Sequence, residues 1–252
     1  MLLDLKRGIT YGPVRSRRLG RSLGINLLGG AAKLCAFDCL YCQYGWTPRD
    51  AVLGNEHVCL PTPDEVFTAV GSALEALEEP PAYLTFSGNG EPTLHPRFAE
   101  IVDGVNALRD RLAPAALTAV LSNSTRVGDP RVRSALARLD VRIMKLETGT
   151  EEAFQRFNRP LGNASLRQVL DGLRALGGVT IQALLADGPD GNTGAEEIHA
   201  WIDAVCWVRP IAVQLYTLAR GYPSDRIGPV GTRRLSAIRD RLLGLGVAAA
   251  VF

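Results

Sequence analysis

The feature that most constrains this chain is an alternation. Short apolar runs fall at Ser22–Leu28, Ala82–Ser87, Ala116–Leu121, Val141–Leu146, Val179–Leu184 and Ile211–Tyr216. Each precedes a stretch with helical hydrophobic period: 64–78, 96–112, 129–138, 165–176, 195–207 and 231–244. Six strands each followed by a helix imply right-handed crossovers and a parallel sheet. Six units fall short of the eight that close a full barrel. The expectation is an α/β fold, a single-domain partial (β/α)6 parallel barrel. A length of 252 residues suits one such domain, and no stretch has the composition of an interdomain linker. Residues 1–21 read as a basic N-terminal arm, 22–216 as the barrel core and 217–252 as a C-terminal segment ending in a short strand, Val247–Val251. Loops 43–60 and 185–194 are the longest irregular stretches, the latter a lid or turn candidate.

A formal net charge of +2 points to no partner by bulk charge. Locally, Arg15, Arg17, Arg18 and Arg21 crowd one segment. Two readings stand open: forked guanidinium groups holding a substrate phosphate or carboxylate, or a solvated arm pairing with surface acids. Only Lys6, Lys33 and Lys145 are lysines. Met1–Gly20 is polar and Arg-rich, and no apolar run approaches the roughly 18 residues of a membrane span. The chain is therefore expected to be cytoplasmic, without a membrane partner. Five cysteines in that setting point to metal binding or catalysis.

Three of them lie in Cys35-Ala-Phe-Asp-Cys39-Leu-Tyr-Cys42, spaced C-x-x-x-C-x-x-C. The stretch follows the first predicted strand, so it falls where α/β folds place ligands. Three thiolates are one ligand short of a closed zinc site or a fully protein-ligated cubane cluster, which leaves a coordination position open. A zinc site completed by Cys59 or His57 competes, although zinc ligands usually come as paired C-x-x-C or Cys/His units. Cys206 falls in an apolar helix and reads as core.

The next strand ends supply further groups. Ser87-Gly88-Asn89-Gly90-Glu91-Pro92 is a glycine-rich turn that exposes backbone groups and permits close approach. Ser122-Asn123-Ser124 places small polar groups at a strand end, either ligand contacts or a self-bonded turn. In Val141–Glu147, alternation sets Val141, Ile143, Lys145 and Glu147 on one face. Lys145 and Glu147 then serve a ligand or form a mutually satisfied ion pair. Gln182, Gln214, Tyr216 and Arg220 are rim or lumen polar candidates for substrate contact, as Arg15, Arg17 and Arg18 are from the arm.

The cysteine spacing after a first strand, with Tyr41 just before the last cysteine, resembles the radical S-adenosylmethionine (SAM) superfamily. That resemblance implies a [4Fe–4S] cluster on Cys35, Cys39 and Cys42 whose unique iron binds SAM. One-electron reduction cleaves SAM, and a 5′-deoxyadenosyl radical abstracts hydrogen from substrate. Gly88, Asn89, Gly90 and Glu91 resemble the family's Gly-Gly-Glu-Pro element, here one residue longer. With Tyr41, Ser122, Asn123, Lys145 and Glu147 they are implied as cofactor-binding residues. The electron donor is implied to be of flavodoxin or ferredoxin type.

The combined motifs look closest to Fe–S oxidoreductases related to the tRNA wybutosine-synthesis enzyme. That enzyme carries a second cluster, for which this chain has too few cysteines, and Glu147 stands where such relatives often have Asp. The expected function is a radical SAM oxidoreductase or modifying enzyme acting on a small metabolite, a nucleotide or a tRNA base. A glycyl-radical-type activating enzyme acting on a protein is one alternative. A non-enzymatic Fe–S or zinc-binding module is another.

Overall fold

A computed structural model describes residues 1–16, 18–30, 32–48 and 59–252. Arg17 and His57 lie outside the described residues. Seven strands follow the predicted parallel order: β2 (Gly20–Ile25), β3 (Tyr83–Phe86), β4 (Leu117–Ser122), β5 (Val141–Lys145), β6 (Thr180–Asp187), β7 (Ala212–Thr217) and β9 (Ala249–Val251). Each of β2 to β6 pairs in parallel with the next, and β9 pairs in parallel with β7. The predicted short terminal strand is thus present as β9. The sheet runs in the order β1 (Thr10–Ser16)-β2-β3-β4-β5-β6-β7-β9 and does not close.

The crossover helices are α1 (Pro63–Glu75), α2 (Phe98–Leu112), α3 (Pro130–Ala137), α5 (Leu166–Leu176), α6 (Ala195–Val208) and α7 (Thr232–Gly244). Local chemistry sets their starts. Thr62 and Ser165 form capping boxes with Glu65 and Gln168, and Asp129 caps α3 ahead of Pro130. Their apolar faces meet the outer face of the sheet in one core that includes Leu84, Phe86, Val120, Met144, Ile181, Val213 and Leu215.

Three elements correct the sequence reading. The segment read as an arm contains a strand, β1 (Thr10–Ser16), paired antiparallel with β2. Its Gly/Pro/Arg content suggests a turn, yet an edge strand tolerates proline because one side of its ladder is unpaired. A short helix, α4 (Glu151–Phe157), interrupts the stretch between β5 and α5. A two-residue strand, β8 (Gly228–Pro229), pairs antiparallel with the end of β6. The 185–194 loop is a tied turn. Asn192 donates to the Glu147 and Leu184 carbonyls and accepts from the Ala186 N–H.

The described arginines of this segment have separate surroundings. Arg15 is exposed opposite Arg21, and Arg21 pairs with Glu79 at 2.6 Å. Leu19 and Arg18, just before β2, lie on the concave face of the sheet. Leu19 packs there on Ala119 and Ile143, with Tyr83, Leu121 and Val141 around it. Next to it, the Arg18 guanidinium lies 4.3 Å from the Tyr216 ring centroid and 5.6 Å from that of Phe252. The two ends of the open sheet therefore meet through side chains across the lumen.

Candidate functional site

The cysteine loop leaves β2 at the end where all the parallel strands terminate, and it is docked on two sides. On one side Leu34 bridges to Gly90. The Leu34 N–H donates to the Asn89 carbonyl at 2.9 Å, and the Glu91 N–H donates to the Leu34 carbonyl at 3.0 Å. A Cβ on Gly90 would stand 1.6 Å from the Leu34 oxygen, and Gly90 has φ +144°. A Cβ on Gly88 would meet the Asn26 side chain at 2.7 Å. The close approach that the glycine-rich turn permits is made by the protein's own chain. Asn89 is spent likewise: its side-chain amide donates to the Lys6 and Gly29 carbonyls and accepts from the Lys6 N–H. Its side chain is a brace for the N-terminal residues.

On the other side the loop meets the segment after α4. Phe37 bridges to Pro160. The Asp38 N–H donates to the Asn158 and Arg159 carbonyls, and the Leu40 N–H to that of Phe157. Thr47 closes the loop on itself, its N–H donating to Asp38 and its hydroxyl to the Phe37 carbonyl, both at 2.7 Å.

This frame holds three free thiols: Cys39 is buried, and Cys35 and Cys42 are half-buried. Burial pushes the Cys35 thiol up to about 11 and raises Cys39 further. Without metal these groups are thiols, and metal uptake releases their protons. The side-chain amides of Asn123 and Asn158 approach the Cys35 and Cys39 sulfurs at 3.4 and 3.8 Å. Among the described residues, no group of three His, Cys, Asp or Glu side chains is gathered tightly enough for a single metal ion. Free thiols with amide donors aimed at their sulfurs fit a polynuclear cluster.

Beside the loop, Glu147 is 2% exposed. It accepts from the Tyr41 hydroxyl at 2.6 Å and from the Asn158 amide at 2.9 Å, and it pairs with Lys145 at 2.8 Å. Lys145 also donates to the Tyr216 hydroxyl at 2.5 Å. Burial alone would lower the Lys145 pKa, but Glu147 and Tyr216 outweigh it and hold the ammonium protonated. The buried phenol of Tyr41 is raised well above its ordinary value. Asn123, Lys145, Glu147, Thr148 and Asn158 converge with Phe37 on a cavity of about 10 Å³.

Glu91 is 1% exposed, and burial raises its pKa. Its carboxyl accepts from Thr93, from the Ser122 hydroxyl at 2.9 Å and from the Asn123 N–H at 2.5 Å. Glu91 and Ser122 thus tie the end of β3 to that of β4. In the lumen the Gln182 amide donates to Gln214 at 3.0 Å. Arg220 lies exposed at the mouth, 3.5 Å from Gln43.

Sequence reasoning missed Asn158 as a site residue. Its signal was weak, a polar residue next to Arg159-Pro160, because its partners depend on how the loop docks. Cys59 is exposed, and Cys206 is half-buried in α6 against the core.

The profile of the Radical SAM superfamily matches residues 32–201. A UPF0026 protein of Synechocystis sp. is 32% identical over 221 residues, 86% of this chain and 77% of that protein. Among solved structures, a radical SAM methyltransferase from Sphaerobacter thermophilus superposes with a TM-score of 0.66 at 17% identity. The match covers 92% of this chain and 65% of that one, so the chain spans just under two thirds of that enzyme. TYW1 with a lysine-pyruvate adduct bound gives a TM-score of 0.61 at 12% identity, covering 88% of this chain and 72% of that one. At these identities the structural likeness speaks to the fold.

Proposed function

The chain belongs to the radical SAM superfamily, and we propose that Cys35, Cys39 and Cys42 hold the cluster of that family. The protein is an enzyme of SAM-dependent radical chemistry, with a [4Fe–4S] cluster and SAM as cofactors. The observation that carries the residue assignment is the loop itself: three free thiols at the C-terminal ends of the parallel strands, with Asn123 and Asn158 amides on two sulfurs. Held by Cys35, Cys39 and Cys42, a cluster would supply the one-electron reduction on which SAM-dependent radical chemistry rests.

The protein's own groups position and shield. Asn123 and Asn158 donate to the Cys35 and Cys39 sulfurs, which favours their thiolate form. Asn158 also bonds Glu147, so the cysteine loop and the end of β5 keep a fixed relation. The Lys145–Glu147–Tyr41 group and Asn123 border the loop, and we assign them the SAM side of the site. Backbone groups of the Gly88–Gly90 turn that Leu34 does not occupy remain for the same cofactor. Ser122 and Glu91 act behind them as supports.

We assign the substrate an anionic group, as in a nucleotide or another small phosphorylated or carboxylated metabolite. Arg18 in the lumen and Arg220 at the mouth support this, with Gln182, Gln214 and Tyr216 lining the wall between. The enzyme needs an electron donor, which we read as flavodoxin or ferredoxin type. Among the described residues, no helix is long and apolar enough to cross a membrane.

Anaerobic reconstitution tests this. About four iron and four sulfide per chain are expected, with 5′-deoxyadenosine formed from SAM on reduction. Cys39→Ala should abolish that product. One tightly bound zinc without SAM cleavage overturns the assignment. Small anionic metabolites should stimulate turnover; stimulation confined to a tRNA or protein fraction moves the substrate to that class.

A further inference from the structure

Lys33 is 4% exposed. Its ammonium donates to the Gly45 carbonyl at 2.8 Å and lies beside the Cys42 side chain. Among the described residues, no carboxylate comes within 4.0 Å of it. The neighbouring groups that can carry negative charge are the sulfurs of Cys42, Cys35 and Cys39. The contrast with Lys145 is direct, since that buried ammonium has Glu147 at 2.8 Å. A buried cation is retained only where something opposite in sign compensates it. Around Lys33 the groups able to do so are the three cysteines, which bind metal as thiolates.

We propose that Lys33 is the internal counter-ion of the cluster and raises its reduction potential. The inference rests on the assignment of the cluster to Cys35, Cys39 and Cys42. On reduction the cluster gains one electron from the external donor, which is oxidised, and the site gains a negative charge. A fixed ammonium against Cys42 stabilises that added charge, and Lys33 neither gains nor loses a proton. Potentials of such clusters follow net charge and the hydrogen bonds to their sulfurs. Lys33 supplies a fixed positive charge beside the Cys42 side chain. The chain from Cys42 to Gly45 keeps it there, because the Gly45 N–H donates to the Cys42 carbonyl at 2.9 Å while the Gly45 carbonyl accepts from Lys33.

The test compares reconstituted wild type with Lys33→Met, Lys33→Gln and Lys33→Arg, using iron and sulfide content and an EPR-monitored midpoint titration. A neutral variant with wild-type iron should be at least about tenfold harder to reduce, a fall of about 59 mV for one electron. Lys33→Arg should stay near the wild-type midpoint. An unchanged midpoint in a fully loaded neutral variant overturns the proposal. Loss of iron from both neutral variants with retention in Lys33→Arg supports it, since charge then decides. Loss from all three, with a native circular dichroism spectrum, overturns it in favour of shape. A wild-type chain that takes up no iron and sulfide fails the cluster assignment itself, before any variant is compared.

Discussion

Glu147 gathers a lysine, a phenol and an amide from three different parts of the chain. Removing Lys145 leaves the Glu147 charge buried among neutral partners only, so the effects should not add. Lys145→Met is expected to cost about 3–5 kcal/mol, the usual range for stranding a buried charge. Lys145→Met with Glu147→Gln should recover most of it, because the amide carries no charge. Urea unfolding of the apoprotein, read as a double-mutant cycle, checks both. Additive losses would show that the two side chains do not depend on each other. At this scale the sequence exposes what is local. The cysteine triplet is legible because its spacing is a property of eight consecutive residues. The pairing of Lys145 with Glu147 is legible because strand alternation puts them on one face. Asn158 is not, since its contact with Cys39 spans 119 positions. Nor is Lys33, whose burial has no signature in its neighbours.

Strand and helix order is the most legible level, and the reason is the hydrophobic period. Each parallel strand is covered on its outer face by a helix, so it reads as an apolar run. What the period hides are elements too short or too polar to show it. β1 carries Gly12, Pro13 and Arg15, and α4 has seven residues. Both bear on the site, β1 by delivering Leu19 and Arg18 to the lumen and α4 by ending where the cysteine loop docks. The glycine-rich turn was found for one reason and works for another. Its second glycine leaves room for the Leu34 carbonyl. Gly90→Ala should therefore destabilise the protein by at least about 1–3 kcal/mol, the range for a residue held in a sparsely populated backbone region. Iron uptake should fall with it, as the loop lifts from β3. Urea unfolding and iron content measured on the same preparation check this; wild-type values for both would mean that the loop does not need that glycine.

Across the whole molecule, the hydrogen-bonded sheet stops at β1 and β9, and Arg18 completes the circuit against Tyr216 and Phe252. Arg18→Ala is expected to lose about 0.5–2 kcal/mol, the range for a partly desolvated cation–π contact. The dependence on urea concentration should stay the same, since the surface exposed on unfolding hardly changes. Arg18→Lys should restore part of the loss, and an unaltered urea midpoint in Arg18→Ala would show the sheet ends to be independent. Sequence pattern gave the open parallel architecture but not this closure, which depends on one turn folding inward. The docking of the cysteine loop bears on how the enzyme matures. Where metal ligands sit on unstructured chain, metal uptake and folding are one event. Here the backbone from Leu34 to Thr47 is already fastened to β3 on one flank and to the end of α4 on the other. We predict that cofactor insertion is a late step on a folded chain, checked by a native circular dichroism spectrum of the iron-free protein. An iron–sulfur delivery system would meet a native protein, and damage to the cofactor by oxygen would leave a scaffold ready for repair.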